Sequence, residues 1–227
     1  MASDALIRFF DVVFALVALV FLSPLMLTVM LVLRFTGEGE VFYLQKRVGR
    51  NGQLFGIVKF ATMMKNSETM ASGEITIHND PRVLPVGRFL RKYKINELPQ
   101  LWNILAGDMS VIGPRPQTAR CFAAFPENTH AELTRIRPGL SGIGPILFRD
   151  EEAMSRGAPD PVQQYDQVIM PYKAEAELWY VRNRNLYYYF AAIIVTVWIV
   201  LFPRSRVAWK AFPGLPAPPS ALEPHFN

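Results

Sequence analysis

The sequence predicts an α+β fold that is mostly helical and attached to a membrane. A re-entrant N-terminal membrane helix-break-helix is followed by a small β-hairpin and amphipathic interfacial helices. The first observation behind this is an apolar run from Val12 to Leu33 with Ser23-Pro24 at its middle. The second is the turn Arg50-Asn51-Gly52-Gln53 between two short strand-like stretches. The third is another apolar run, Tyr187 to Phe202, with cationic residues on both sides. The chain then divides into a membrane hairpin (1–36), a cytoplasmic domain (37–185), an interfacial helix (186–212) and a Pro-rich tail (213–227).

The 227 residues suffice for one globular domain plus membrane elements. A hydrophobic share of 51% against 19% charged residues fits a membrane-attached protein. The net charge of +5 and a pI near 9.4 suit anionic headgroups, phosphates or nucleic acid. No nucleic-acid-binding motif is recognisable, so no nucleic-acid partner is expected. The lone Cys121 cannot form an internal disulfide, which places the main domain in a reducing compartment. His78, His130 and His225 do not share metal-ligand spacing, so a histidine zinc site is not expected. The start is not basic and lacks a small-residue cleavage site, so no cleaved signal peptide is expected.

In chain order, Val12 to Leu33 would run roughly 33 Å as a helix, enough to cross a bilayer core of about 30 Å. Pro24 lacks an amide hydrogen, and Ser23 before it is pushed out of α geometry. The Ser23 hydroxyl can cover a freed carbonyl. Such a helix either bends at its centre and returns to its own side or crosses with a mild kink. Arg8 before the run and Arg34 after it are compatible with both ends being cytoplasmic. Phe42 to Arg47 and Leu54 to Lys59 read as strands of a hairpin around Asn51-Gly52. The hairpin carries Lys46, Arg47, Arg50 and Lys59, either as a solvated basic edge or as a phosphate grip.

Val83 to Tyr93 looks helical and carries Arg88. Leu98, Leu101, Trp102 and Leu105 then fall on one helical face, with Asn96 as N-cap. A helix start of this kind would seat a phosphate, and Glu97 beside it could hold a divalent cation. Arg115 lies between Pro114 and Pro116, and Arg137 precedes Pro138-Gly139. Each is a stiff loop suited to bidentate grip on a phosphate, or a rigid turn with a surface arginine. Asp166 to Asn185 reads as amphipathic and aromatic. Tyr187 to Phe202 reaches only about 24 Å, short for a span, and fits an interfacial helix or a buried core helix. Pro213 to Pro224 reads as a disordered or polyproline tail.

Several stretches together carry a family resemblance. They are Ser23-Pro24, Gln45-Lys46-Arg47-Val48-Gly49-Arg50-Asn51-Gly52, Lys59-Phe60-Ala61-Thr62-Met63, and Asn96-Glu97-Leu98-Pro99-Gln100-Leu101-Trp102-Asn103. Gly107-Asp108-Met109-Ser110, Gly113-Pro114-Arg115-Pro116 and Arg137-Pro138-Gly139 complete the set. In this order, over roughly residues 5 to 210, they resemble the bacterial sugar transferases, the monotopic phosphoglycosyl transferases. The resemblance implies transfer of a phosphosugar from a nucleotide diphosphosugar such as a UDP-sugar to polyprenol phosphate in exopolysaccharide, lipopolysaccharide or glycoprotein assembly. It implies a location at the bacterial inner membrane with the domain on the cytoplasmic face. The family uses an Asp-Glu pair with Mg²⁺, and its nucleophilic aspartate falls here at Asn96. Ala61 stands where a basic residue is usual, and Ile143-Gly144-Pro145 replaces the usual Trp-Ala-Gln.

Two readings follow. In one, Glu97 serves as base, metal ligand or nucleophile while Lys59, Arg88, Arg115 and Arg137 hold phosphates. In the other, the chain is an inactive relative that binds a polyprenyl-linked or nucleotide sugar or scaffolds a glycan-assembly enzyme. Partners then include inner-membrane lipids, other glycan-assembly enzymes or a second copy of the chain.

Overall fold

The computed structural model describes residues 2–70, 80–149, 151–154, 160–202 and 205–226. His78, most of the polar stretch before Asp80, and Arg204 lie outside the described residues.

Helix α1 (Ala2–Phe35) runs helically through Pro24. The amide missing at Pro24 would have served the Val20 carbonyl. Ser23 Oγ donates to that same carbonyl at 2.8 Å, and Thr28 Oγ1 donates to Pro24 O at 2.9 Å. One stripe of α1 is buried or half-buried along its length: Ile7, Asp11, Ala15, Leu22, Val29 and Leu33. The spacing is helical, so a single face packs on the rest of the molecule. The opposite face is apolar and exposed, with Val20 and Phe21 72% and 79% accessible. Charged groups fasten the N-terminal half. Arg8 donates to Ile104 O and Leu105 O (2.6 and 3.1 Å), covering carbonyls at the end of helix α3 described below. Asp11, buried, accepts from Ser110 Oγ, Val111 N and Tyr189 Oη at 2.8–2.9 Å.

Strands β1 (Phe42–Val48) and β2 (Leu54–Phe60) pair antiparallel, Phe42 opposite Phe60 and Val48 opposite Leu54. The turn places Asn51 at φ 56°, a left-handed conformation that asparagine tolerates. Helices α2 (Pro85–Lys92) and α3 (Gln100–Ala106) follow. Asn103 of α3 substitutes for a third strand: its amide donates to Gly56 O (2.8 Å) and accepts from Val58 N (3.0 Å). Leu101 and Ile104 take the inner face of α3. Trp102, read from the sequence as part of that face, is 65% exposed because Asn103 and Ile104 occupy the contact with β2 and α1.

The short parallel pair β3 (Ser110–Ile112) and β4 (Gly139–Ser141) joins the two proline loops back to back. A Cβ at Gly139 would sit 2.1 Å from Gly113 N, so only glycine permits this approach. Between the strands lie α4 (Ala119–Ala123) and α5 (His130–Leu133). After them come α6 (Ile143–Leu147), α7 (Glu151–Met154), α8 (Pro161–Gln164) and a π-helical turn (Tyr165–Ile169).

Helix α9 (Met170–Asn183) is the centre of the core. The sequence suggests an amphipathic helix here, but Tyr172, Lys173, Ala176, Glu177 and Tyr180 are all buried, since neighbours cover it on several sides. Helix α10 (Leu186–Leu201) buries Tyr189, Ala192, Val195 and Ile199 and leaves Ile194, Val197, Val200 and Leu201 exposed. It is apolar on both faces, and only one of them meets protein. After α11 (Val207–Ala211), the proline-rich tail is ordered rather than disordered. Phe212 and Leu222 are fully buried, Tyr172 Oη donates to Pro216 O at 3.0 Å, and a last turn α12 (Glu223–Phe226) packs Phe226 edge-on against Phe148. Its composition hides two apolar anchors, Leu222 and Phe226, whose packing, with that of Phe212 just before it, offsets the entropy of ordering it.

Candidate functional site

An open cleft of ≈ 2180 Å³ is lined by the hairpin and α2 and by α6, α10 and the C-terminal segment. Typical small-ligand pockets occupy about 300–1,000 Å³. One end is cationic, lined by Lys59 of β2, Arg88 and Arg91 of α2, and Arg115 of the loop after β3. The lining from α10, α6–α9 and the C-terminal segment is mixed: Ile193, Val197, Val200, Phe148, Trp209 and Phe226 stand among Arg149, Glu151, Lys173, Arg206 and His225.

At the cationic end the chain leaves α2 through Lys94, at φ 58°, into a 3-10 turn Ile95–Glu97. This corrects the expected N-cap. Asn96 lies inside the 3-10 turn, not before α3, and its side chain caps nothing. The amides of Glu97, Leu98, Leu101 and Trp102 are spent on Lys94, Ile95, Leu98 and Pro99 carbonyls, so the expected phosphate seat of free amides is not formed there. The positive charge at this turn comes instead from side chains. Asn96 is 7% exposed and lines the cleft, and its Oδ1, itself buried, has no hydrogen-bond partner among the described residues. Glu97 Oε1 accepts from Arg115 Nη2 at 2.8 Å.

Burial alone would raise the Glu97 pKa. The Arg115, Lys59 and Lys94 charges outweigh it and hold the carboxyl well below the usual range. The Lys59 pKa is also lowered, chiefly by burial and then by the Arg47 charge. Arg88 is exposed on the cleft wall. Arg137 is not brought to this cleft. Its Nε donates to Gly107 O at 2.7 Å, on the side of the β3–β4 pair near Arg8.

Arg115 is held from behind by a residue that sequence reasoning missed. Its backbone N donates to Glu177 Oε1 at 2.8 Å. Glu177 is 1% exposed, its Oε2 has no partner among the described residues, and burial pushes its pKa up to about 7. Gly144 makes room for it: a Cβ there would lie 2.0 Å from Glu177 Oε1. One turn earlier on α9, buried Lys173 pairs with Glu151 at 2.7 Å. Arg47, also missed as a site residue, donates to Pro116 O at 3.3 Å and to Gln45 Oε1, bracing the Arg115 loop from β1. Helix α9 carries Lys173, Glu175, Glu177 and Arg182, and nothing local marks Lys173 and Glu177 as the buried ones.

For Mg²⁺, the donors at hand are the Glu97 carboxylate and the orphaned Asn96 Oδ1. No group of three metal-ligating side chains occurs among the described residues. Mg²⁺ characteristically takes one or two carboxylates and completes its shell with water and substrate phosphate, so this donor set fits a metal that arrives with a diphosphate.

Residues 2–203 match the sequence profile of the bacterial sugar transferases. The chain belongs to that family. Similar members include the exopolysaccharide production protein ExoY of Sinorhizobium fredii, 39% identical over 158 residues, 63% of this chain and 70% of that protein. ExoY of Rhizobium meliloti is 40% identical with the same coverage. The undecaprenyl-phosphate galactose phosphotransferase of Salmonella typhimurium is 33% identical over 214 residues, 88% of this chain but 41% of that longer protein. As a sugar transferase with an apolar helix of 33 residues over Ser3–Phe35, the chain is membrane-associated. The family match ends before α11, so the C-terminal wall of the cleft lies outside it.

Proposed function

We propose that this sugar transferase moves a phosphosugar from a nucleotide diphosphosugar to polyprenol phosphate, at the cytoplasmic face of the inner membrane, in assembly of a bacterial glycan. The names of relatives support the substrate classes: undecaprenyl-phosphate galactose phosphotransferase and undecaprenyl-phosphate glucose phosphotransferase. The observation that carries the reading is one cleft that gathers Glu97, Arg115, Lys59 and Arg88 and is also lined by apolar side chains of α10 and the C-terminal segment. In the reaction the bond between the sugar-side phosphorus and the bridging oxygen breaks. The nucleoside monophosphate leaves with that oxygen, and an oxygen of the acceptor phosphate finally takes its place. Two anionic substrates must therefore meet, and cations must screen them.

Glu97 is held ionised by its cationic neighbours, which makes it a weak general base. Its role is that of an anionic ligand or nucleophile. Arg115, stiffened by two prolines and held by Glu177, orients Glu97 and faces the phosphates. Lys59 and Arg88 contribute further positive charge. Glu97 and Asn96 would hold Mg²⁺, which when bound supplies charge neutralisation on the diphosphate.

The re-entrant topology belongs to the same proposal. Both halves of α1 pack on one folded body: Ala15 meets Ile104 and Met109, while Val29 and Leu33 meet Phe60 and Leu90. A span that left the domain to cross a bilayer would not return its far half to that domain. The exposed apolar faces of α1 and α10 and the exposed Trp102 are the lipid-facing surface in this reading.

A radiolabelled transfer assay with polyprenol phosphate and a panel of UDP-sugars tests the activity. Product from the parent chain that is lost in Glu97→Gln supports the reading. A catalytically silent relative is favoured by one observation, the neutral Asn96 in the cleft beside the Glu97 carboxylate. If the parent yields nothing while Asn96→Asp alone yields product, the silent reading stands and the transferase reading falls.

A further inference from the structure

We propose that residues 205–226, which lie beyond the family match, form the wall that holds the first isoprenyl units of the acceptor lipid. This rests on the transferase reading above. Ser205, Arg206, Ala208, Trp209, His225 and Phe226 all line the cleft. Ile193, Val197 and Val200 of α10, a helix whose outer face is exposed and apolar, line the same cleft. The cleft thus joins cationic side chains around Glu97 to apolar ones on α10 and the tail, Ile193, Val197, Val200, Trp209 and Phe226, set among the polar Ser205, Arg206 and His225, a lining suited to an amphiphile with a phosphate head. Its volume also exceeds that of one small-ligand pocket twofold or more, leaving room for a lipid chain beside a nucleotide sugar.

The wall is fixed in place. Phe212 and Leu222 are fully buried, and Tyr172 Oη holds Pro216 O. Phe226 packs edge-on against Phe148, Tyr172 and Trp209 at centroid distances of 5.8, 5.8 and 6.1 Å. Such edge-to-face clusters fix ring orientation and present a shaped apolar surface. Arg149, at the same end, is spent on the Ile199 carbonyl. Arg206 and His225 are exposed at the rim. An isoprenyl chain leaving the cleft would pass between this aromatic wall and α10 into the bilayer.

The test uses the full chain in nanodiscs with two photoprobes, a benzophenone-bearing isoprenyl phosphate and a photoreactive UDP-sugar. The lipid probe is expected to label residues 205–226, with labelling competed by undecaprenyl phosphate. Trp209→Ala and Phe226→Ala are each expected to weaken lipid-probe labelling about 10-fold, the scale of one lost apolar side-chain contact. Labelling by the UDP-sugar probe should be unchanged, and Trp209→Phe should restore most of the lipid signal. Unchanged donor labelling, together with the rescue by Trp209→Phe, separates this effect from misfolding. Saturable lipid adducts confined to other segments, equal labelling of the variants, or labelling of 205–226 by the UDP-sugar probe would overturn the proposal. Lack of saturable lipid labelling anywhere would overturn the transferase reading and this inference with it.

Discussion

Glu97 and Glu177 are both largely removed from water, and their surroundings push them in opposite directions. Glu97 sits among Arg115, Lys59 and Lys94 and stays ionised. Replacing it with glutamine keeps its size but removes the charge that pairs with Arg115. Transfer should fall at least about 100-fold, the scale of losing one electrostatic contact at a reacting centre, in the radiolabelled assay. Glu177 faces a backbone amide and buried Lys173, and its pKa rises to about 7. It therefore binds its proton more tightly folded than unfolded. Its stabilising contribution is full below about 4.5 and is lost as pH rises through about 7. Glu177→Gln, whose amide oxygen can still accept from Arg115 N, should remove that dependence. The difference between the two forms across this window should be on the order of 3 kcal/mol, read from unfolding midpoints at pH 5 and pH 8. Glu97 was legible in the sequence because its neighbours form a recognisable run from Asn96 to Asn103. Glu177 was not, because its role depends on which helix lies under the Arg115 loop. No local pattern encodes that. Asn96 shows the opposite error: a good capping residue type was placed at a helix start, but a left-handed Lys94 moved it inside a 3-10 turn.

Among the elements, the hairpin and the two apolar helices were readable from local chemistry. Asn51-Gly52 encodes the turn, and unbroken hydrocarbon encodes α1 and α10. The β3–β4 pair was not readable. It has three residues in each strand and depends on the backbones of Gly113 and Gly139 touching. The tail was misread because proline content reports a stiff chain and says nothing about where Phe212, Leu222 and Phe226 dock. For α1, the decisive matter is the route of the chain past Pro24. Cysteines introduced at Ala2 and Thr36 should both react with a membrane-impermeant maleimide from the cytoplasmic side of inverted vesicles. Labelling from opposite sides would mean a true crossing. Ser23→Ala would strip the Val20 carbonyl of the hydroxyl it now receives. It should destabilise the folded protein by about 1 kcal/mol, measured as a shift in unfolding midpoint in detergent.

At the scale of the whole molecule, the N-terminal helix and the domain share one core. Ile7 belongs to the cluster built on α9 and α10, Ala15 to that beneath α3, and Val29 and Leu33 to that beneath β2 and α2. Asp11 ties them with three hydrogen bonds to two other elements. Asp11→Ala would leave Ser110 Oγ, Val111 N and Tyr189 Oη without their acceptor and should cost about 3 kcal/mol or more. The unfolding temperature should drop by roughly 5–10 °C, scanned in detergent micelles. The apolar runs announced an anchor. That the anchor would be cemented to the catalytic body depended on long-range contacts, of which Asp11, a charge inside an otherwise greasy segment, was the one visible hint. Such an anchor behaves as a keel, not a tether. A flexible stalk would let the catalytic mouth bob and swivel over the lipid surface, whereas this helix, glued along one flank, fixes the draught at which the whole hull floats.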